Sequence, residues 1–422
     1  MRTGTWASAP FLRLWAAESV SEVGSAVTAL ALPLIAILLL RATPLEVGLL
    51  AAAEFLPFVV VGLPAGVLAD RSAPIPLLIA SDLGRATLLA SVPLASITGH
   101  LTIVQLYLVA LLTGCLTVVS GVAEQTALHG IVPQSQLLDA NSKLEMSHAV
   151  GHVAGPGIGG LLIAAVTAPV AVVVDSVSFL VSAGLIATIT GRRRSTAEPE
   201  VQESFLLQVG EGLRFIFRHP VLRSFALSLA TINFFGEVFF AVYLVYLVRG
   251  LNLTPSVIGV VLALAGLGGV VGAAAATRLA RWLGVGMVIL VGAAASVTVA
   301  LVPLAPTAAP IPWIVVGGFF ADFFGVAFNV NQRSLRQALT PARLQGRMTA
   351  TMRFLIIAPV PIGAVTGGFL GTVIGLRPTL WIGALGSMAA ALPILLSPTP
   401  RIRTVPEDGP ADSETPAVPL PG

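Results

Sequence analysis

Two glutamates one helical turn apart, Glu18 and Glu22, lie in an apolar run from Leu14 to Leu40 that holds no other charge. At i and i+4 on a helix they share a face and repel, and an ionised carboxylate near mid-membrane costs about 2.5–3.5 kcal/mol. At least one must be protonated or paired, and a carboxyl group held at that balance takes up and releases a proton when its surroundings change. Glu54, Glu237 and Asp322 lie inside other apolar runs and are open to the same chemistry. Each also reads as polar glue between helices, and Glu18 as a residue of the membrane boundary. His148 and His152 offer a proton relay or interhelical hydrogen bonds. Asp82 and Arg85, at i,i+3, read as a self-neutralising structural pair.

The elements that position these residues must be helices in lipid. Of 422 residues, 56% are hydrophobic and 10% charged, and the mean hydropathy is +0.93. A soluble domain carries about 25% charged residues to cover its surface, so a soluble fold is excluded. The net charge of +3 comes with only 6% aromatic residues and with arginines placed between apolar runs, which reads as membrane topology and not as nucleic-acid binding. Cys115 is the single cysteine, so no intrachain disulfide exists.

Apolar segments of spanning length fall at about 14–40, 45–69, 76–98, 101–130, 138–166 and 168–190, and again at 221–248, 255–280, 284–305, 310–338, 345–374 and 378–397. The expected fold is therefore all-α and polytopic, with twelve transmembrane helices. Residues 1–190 form one six-helix half, 191–219 a cytoplasmic linker, 220–397 the second half, and the Pro-rich 398–422 a disordered tail. With both termini in the cytoplasm, all of the 23 Lys and Arg except Arg41, Arg249 and Arg377 fall on the inner side, as the positive-inside rule requires. The linker carries Arg192-Arg193-Arg194 as a topology anchor, then Leu213, Phe215, Ile216 and Phe217 among Arg214, Arg218 and Arg223. That pattern reads as an interfacial helix on anionic lipid.

The halves repeat. Thr43-Pro44-x-x-x-Gly48 recurs as Thr254-Pro255-x-x-x-Gly259, while Pro133 and Gly159-Gly160 recur as Pro341 and Gly367-Gly368 at nearly the same offset. Equivalent placement in each half argues for duplication about an axis along the membrane normal. The most specific motif is Gly151-x-x-x-Gly155-Pro156-x-x-Gly159-Gly160. Glycines 151, 155 and 159 share one helix face and admit a neighbouring backbone, and Pro156 removes a backbone donor. Ordinary small-residue packing would use the same pattern.

The chain resembles the major facilitator superfamily of transporters, and the Gly151–Gly160 motif is similar to the antiporter signature of its drug-exporting branches. More narrowly it resembles the bacterial enterobactin-exporter-like and macrolide-efflux-like subfamily. The matching residues are Gly66-Val67-Leu68-Ala69-Asp70-Arg71, Leu137-Leu138-Asp139-Ala140-Asn141, Asp175-Ser176-Val177-Ser178-Phe179-Leu180, Glu211-Gly212-Leu213-Arg214 with Arg218-His219-Pro220, and Leu344-Gln345-Gly346-Arg347. The resemblance implies a cytoplasmic gate at Gly66, Asp70 and Arg71. It also implies a central cavity lined by spans 1, 4, 7 and 10, exposing Glu22, Glu124, Gln125, Asn233, Glu237, Asp322 and Asn329 to substrate. The sequence departs from the subfamily where Ser72-Ala73-Pro74-Ile75-Pro76 replaces a basic cluster, and where Ser25 follows Gly24 in place of an acid.

No enzyme site emerges. The single lysine, Lys143, follows Ser142 and makes no Walker A loop, and there is no Gly-x-Ser-x-Gly elbow or clustered metal-ligand set. Neither a cofactor nor a metal is expected. The expectation is a monomeric exporter in the bacterial cytoplasmic membrane that moves a bulky, partly apolar small molecule outward as protons enter, by alternating access. The alternatives are an importer of the same fold, a membrane-embedded lipid-modifying enzyme or a non-transporting sensor.

Overall fold

The computed structural model describes residues 5–61, 73–189 and 205–406. No strand occurs among them. Spans 1 to 6 are Ala9–Leu38, Pro44–Val60, Pro74–Ile97, Ile103–Ile131, Leu137–Val166 and Ala168–Ala187. Span 7 is Pro220–Val245, extended by a π turn at Tyr246–Gly250, and span 8 is Pro255–Leu283. Span 9 runs from Val285–Ala295 through a 3₁₀ stretch to Leu301–Leu304, and span 10 is Ile311–Ala338. Span 11 is Gln345–Ile357 and Pro359–Val373, and span 12 is Leu376–Met388 and Ala391–Leu395. Eleven of these are long and apolar enough to cross a bilayer. The remaining one, span 2, has 17 described residues. Large apolar side chains such as Ile97, Leu161, Val373 and Leu396 are exposed, as the surface of a span facing lipid must be.

Local chemistry sets the helix ends. Thr43 and Glu46 form a capping box, with the Glu46 carboxylate accepting from the Thr43 N–H at 2.6 Å and the Thr43 hydroxyl accepting from the Glu46 N–H at 3.3 Å. Arg41 (φ +51°) and Asn252 (φ +53°) adopt the left-handed conformation, each two residues before the repeated Thr-Pro. The duplication read in the sequence thus extends to the backbone of both loops.

By internal contacts the chain forms two compact units. One comprises Met1–Glu198, Val238–Gly266 and Pro361–Leu380, and the other Pro199–Glu237, Leu267–Val360 and Trp381–Gly422. Phe11, Leu14, Leu78, Leu128, Leu144 and Ile186 centre a core in the first. Leu222, Phe225, Ile289, Phe328, Met348 and Met352 centre one in the second. The boundary does not follow the linker: span 8 meets span 5 at Gly259 and Gly160, span 11 meets span 2 at Gly368 and Gly48, and span 7 meets span 11 at Val238 and Gly367.

Within the linker, Phe205–Arg218 is a helix, but it does more than rest on lipid. Gly212 lies against the backbone of span 11, where an added Cβ would stand 3.0 Å from the Arg347 carbonyl oxygen. Ile216 is fully buried with Met348 and Met352, and Glu211 pairs with Arg347. The Nδ1 of His219 accepts from the Leu222 N–H at 3.4 Å to start span 7, and burial pushes its imidazole below the usual range. The Arg192-Arg193-Arg194 anchor lies outside the described residues.

Residues 398–406, assigned by composition to the disordered tail, correct that expectation. Thr399–Arg401 forms a 3₁₀ turn, Thr399 is fully buried, and Ile402 and Val405 pack on the second unit's core. Two apolar anchors are too few to order a segment alone, but backbone hydrogen bonds from Val285 and Gly286 to the Arg403 and Ile402 carbonyls complete the attachment.

Candidate functional site

Spans 1 and 5 bring one of the acids to a partner. The Nδ1 of His148 stands 2.8 Å from Glu22 Oε2, with 44% of the histidine side chain and 29% of the glutamate side chain exposed, so neither is sealed from exchange. One turn along, Ser19 donates to Ser147 at 3.0 Å and holds the two helices in register. The glycine motif supplies the space. A Cβ on Gly151 would lie 2.6 Å from Glu22 Cγ and 3.3 Å from its Oε1, and one on Gly159 would lie 3.3 Å from Val27 Cα. Gly155 meets Ala26 in the same seam. The face formed by Gly151, Gly155 and Gly159 is therefore the seat of span 1, and Gly151 makes the room in which Glu22 reaches His148.

Around this pair the charges are mixed. Glu18 is within electrostatic reach of Glu124, Arg85, Asp82 and His148, and Glu124 of His148, Arg85, Glu22 and Glu145. The side chain of His152 lies outside the described residues. Glu18, Glu22 and Glu124, on spans 1 and 4, thus all act on the imidazole of His148, and Glu18 and Glu124 act on the guanidinium of Arg85 as well. That guanidinium is already committed. Arg85 pairs with Asp82 at 2.5 Å and donates to Ser120 at 3.1 Å, lies 4.1 Å from the centroid of the Phe179 ring, and Ser182 donates to the other Asp82 oxygen at 2.6 Å. Both charges are buried, and their bonds lie within spans 3, 4 and 6. This is the structural pair that the i,i+3 spacing predicts.

Asp175 is a polar residue that sequence reasoning gave no role. It is buried on span 6, accepts from Ser178 at 3.1 Å and from Ser25 at 3.4 Å, and crowds Gly24, where a Cβ would stand 2.6 Å from its Oδ1. The signal was the pair Gly24-Ser25: the hydroxyl there serves a carboxylate supplied by span 6.

The other predicted residues are dispersed. Glu54, on span 2, does not join the Glu22–His148 cluster. Gln125 is exposed on span 4. Asn233, Glu237, Asp322 and Asn329 belong to the second unit. Asn233 turns its amide onto its own helix, donating to the Leu229 carbonyl at 2.8 Å, Glu237 and Asp322 are half-buried, and Asn329 is exposed. Gly66, Asp70 and Arg71 lie outside the described residues, as does the whole of 62–72.

The repeated glycines meet one another. At the crossing of spans 5 and 8, a Cβ on Gly160 would stand 2.6 Å from Gly259 Cα and 2.6 Å from the Pro255 carbonyl oxygen. At the crossing of spans 2 and 11, a Cβ on Gly368 would stand 3.1 Å from Gly48 Cα and 2.7 Å from the Pro44 carbonyl oxygen. Each crossing joins the Thr-Pro-x-x-x-Gly motif of one half to the Gly-Gly motif of the other, with the same proline carbonyl at the same glycine. Only glycine permits backbones to approach so closely. Arg249 ties the same region, donating to the Ala42 carbonyl at 2.8 Å and the Ile37 carbonyl at 3.1 Å, and the Leu45 N–H donates to Thr372 at 3.2 Å.

Comparison with known proteins agrees with this architecture. Residues 4–419 match the family model described as transmembrane secretion effector. The chain is 27% identical over 408 residues to the multidrug efflux pump Tap of Mycolicibacterium fortuitum, covering 92% of this chain and 93% of that protein. It is 26% identical over 380 residues to the pump of the same name from Mycobacterium tuberculosis, covering 85% and 84%. Among solved structures, a bacterial homologue of the iron transporter ferroportin in an inward-facing state superposes with a TM-score of 0.70 at 14% identity, covering 92% of this chain and 98% of that one. The nucleoside transporter NupG superposes with a TM-score of 0.66 at 13% identity, covering 92% and 98%. The chain is a multi-pass membrane transporter and belongs to the transmembrane secretion effector family of the major facilitator superfamily.

Proposed function

We propose that this transporter is a proton-driven exporter of partly apolar small organic molecules in the bacterial cytoplasmic membrane, acting as a monomer with both termini in the cytoplasm. The observation that carries the reading is the Glu22–His148 pair, 2.8 Å apart and partly exposed, amid Glu18 and Glu124. An ion pair inside a span stands only while both members are charged. Protonation of Glu22 removes the attraction, and spans 1 and 5 are then free to change their contact along the glycine seam. Proton entry is thereby coupled to movement of the helices that carry the substrate path. The name of the Tap relative as a multidrug efflux pump supports a drug-like substrate, with macrolides and siderophores the other classes to test.

In the cycle we propose, the glycine crossings of spans 2 with 11 and 5 with 8 close the outer side, next to Arg41 and Arg249, and open when substrate leaves. Gly66, Asp70 and Arg71 would then serve the cytoplasmic gate, and Glu54, Glu237 and Asp322 stand behind Glu22 as proton carriers. Glu124, Gln125, Asn233 and Asn329 would line the substrate path.

Expression in a susceptible bacterium tests the direction. Cells carrying the gene should hold less of a fluorescent drug than control cells, and a protonophore should erase the difference. Faster drug entry on expression would instead identify an importer.

A further inference from the structure

We infer that the arginine-rich end of span 8, the turn at Gly284 and the attached segment 398–406 form a binding surface for the headgroup of an anionic phospholipid. Gly284 (φ +87°) turns span 8 into span 9, and a Cβ on it would stand 3.3 Å from Arg403 Cα. The Val285 N–H donates to the Arg403 carbonyl at 3.1 Å and the Gly286 N–H to the Ile402 carbonyl at 2.8 Å. Thr399 is anchored between Ser224 at 3.2 Å and Ser397 at 2.7 Å. The segment is thus pinned at both ends, and its position beside span 8 is fixed by backbone.

Arg401 and Arg403 are exposed along this segment, Arg278 and Arg281 are exposed one turn apart on span 8, and Arg223 is exposed next to Ser224. Among the described residues no carboxylate pairs with any of these five. Like charges collected in one place repel, so the arrangement calls for an anion. Trp282, 78% exposed at the end of span 8, sets the depth, because an exposed indole at a helix end belongs at the headgroup level of a bilayer. Guanidinium groups grip phosphate through paired N–H bonds, and basic residues at this level draw anionic lipid. Charge, depth and fixed backbone together select a phospholipid phosphate.

Trp282 is the probe. A variant keeping it as the only tryptophan, with the other four replaced by Phe, is reconstituted in vesicles containing phosphatidylglycerol or phosphatidylcholine brominated near the headgroup. Quenching should show an enrichment of about tenfold for the anionic lipid, and Arg281→Gln with Arg403→Gln should remove it. A chain keeping only Trp313, at the arginine-free end of span 10, should show no preference and controls for the bulk charge of the membrane. Equal quenching of Trp282 by both lipids, which needs no arginine variant to fold, would overturn the proposal. So would loss of the preference when inorganic phosphate is added in excess, which would make this a site for a soluble anion. A preference appearing only after the chain is ended at Pro406, without Glu407, Asp408, Asp412 and Glu414, would make the acidic tail the resident partner and would equally overturn it.

Discussion

Glu22→Gln is expected to abolish proton-driven drug accumulation in inverted membrane vesicles while leaving drug binding measurable. The amide keeps the shape of the side chain in the space that Gly151 leaves for it, and it can still hydrogen bond to His148. It cannot take up or release a proton, so the interaction between spans 1 and 5 no longer changes with protonation. Removing one member of a partly buried ion pair also leaves the other exposed to an unbalanced field, and here His148 still has Glu18 and Glu124 nearby. Folding is therefore expected to survive the change. The distinguishing readout is the pH profile: wild-type transport should vary with the imposed gradient, and the variant should equilibrate drug without concentrating it. A variant that still accumulates drug with an unchanged pH profile would make Glu22 structural, and the proton role would pass to Glu54, Glu237 and Asp322.

The second large effect is expected at the crossing of spans 5 and 8. Gly160→Leu puts a side chain where Gly259 Cα would be 2.6 Å from its first carbon. Overpacking of this kind costs about 1–3 kcal/mol, and in the cycle proposed above the cost falls only on the state in which the two helices touch. That corresponds to a shift of roughly 5- to 150-fold against the closed crossing. Export should fall while inserted protein remains detectable, since the helix is still apolar. A cysteine at Thr254, with Cys115 replaced by Ser, should react faster with a membrane-impermeant maleimide in the Gly160→Leu background. Near-normal export with unchanged labelling would show that the crossing is not a moving contact.

Much of this site was legible in the chain. Glu22 stood out because a carboxylate in an apolar run has to be protonated or paired, and Asp82 with Arg85 announced themselves by spacing within one helix. The partner of Glu22 was not legible, because choosing between a proton relay and a simple interhelical bond for His148 depends on the register of span 5 against span 1. That register is set by Gly151, Gly155 and Gly159 fitting over Glu22, Ala26 and Val27, contacts between residues more than a hundred positions apart. The glycine motif showed that a backbone approaches; it did not show which one. Here it serves two neighbours, span 1 through Gly151, Gly155 and Gly159 and span 8 through Gly160. The repeat of Thr43-Pro44-x-x-x-Gly48 at Thr254-Pro255-x-x-x-Gly259 was visible as duplication, but its purpose lies in the pairing of each copy with the glycines of the other half. Asp175 was read only as part of a motif and given no role of its own, because its partners Ser25 and Ser178 are ordinary residues for a packed span. Segment 398–406 misled composition for a related reason: its order comes from backbone hydrogen bonds at Val285 and Gly286, which no side-chain pattern records.

The most direct test of the central claim uses purified protein in liposomes with an imposed pH gradient, following a drug and an internal pH dye together. With the interior acidic, drug should accumulate inside as protons leave, and collapsing the gradient should release it. Drug movement that equilibrates equally with or without the gradient, and without any change in internal pH, would contradict proton-driven export by this chain.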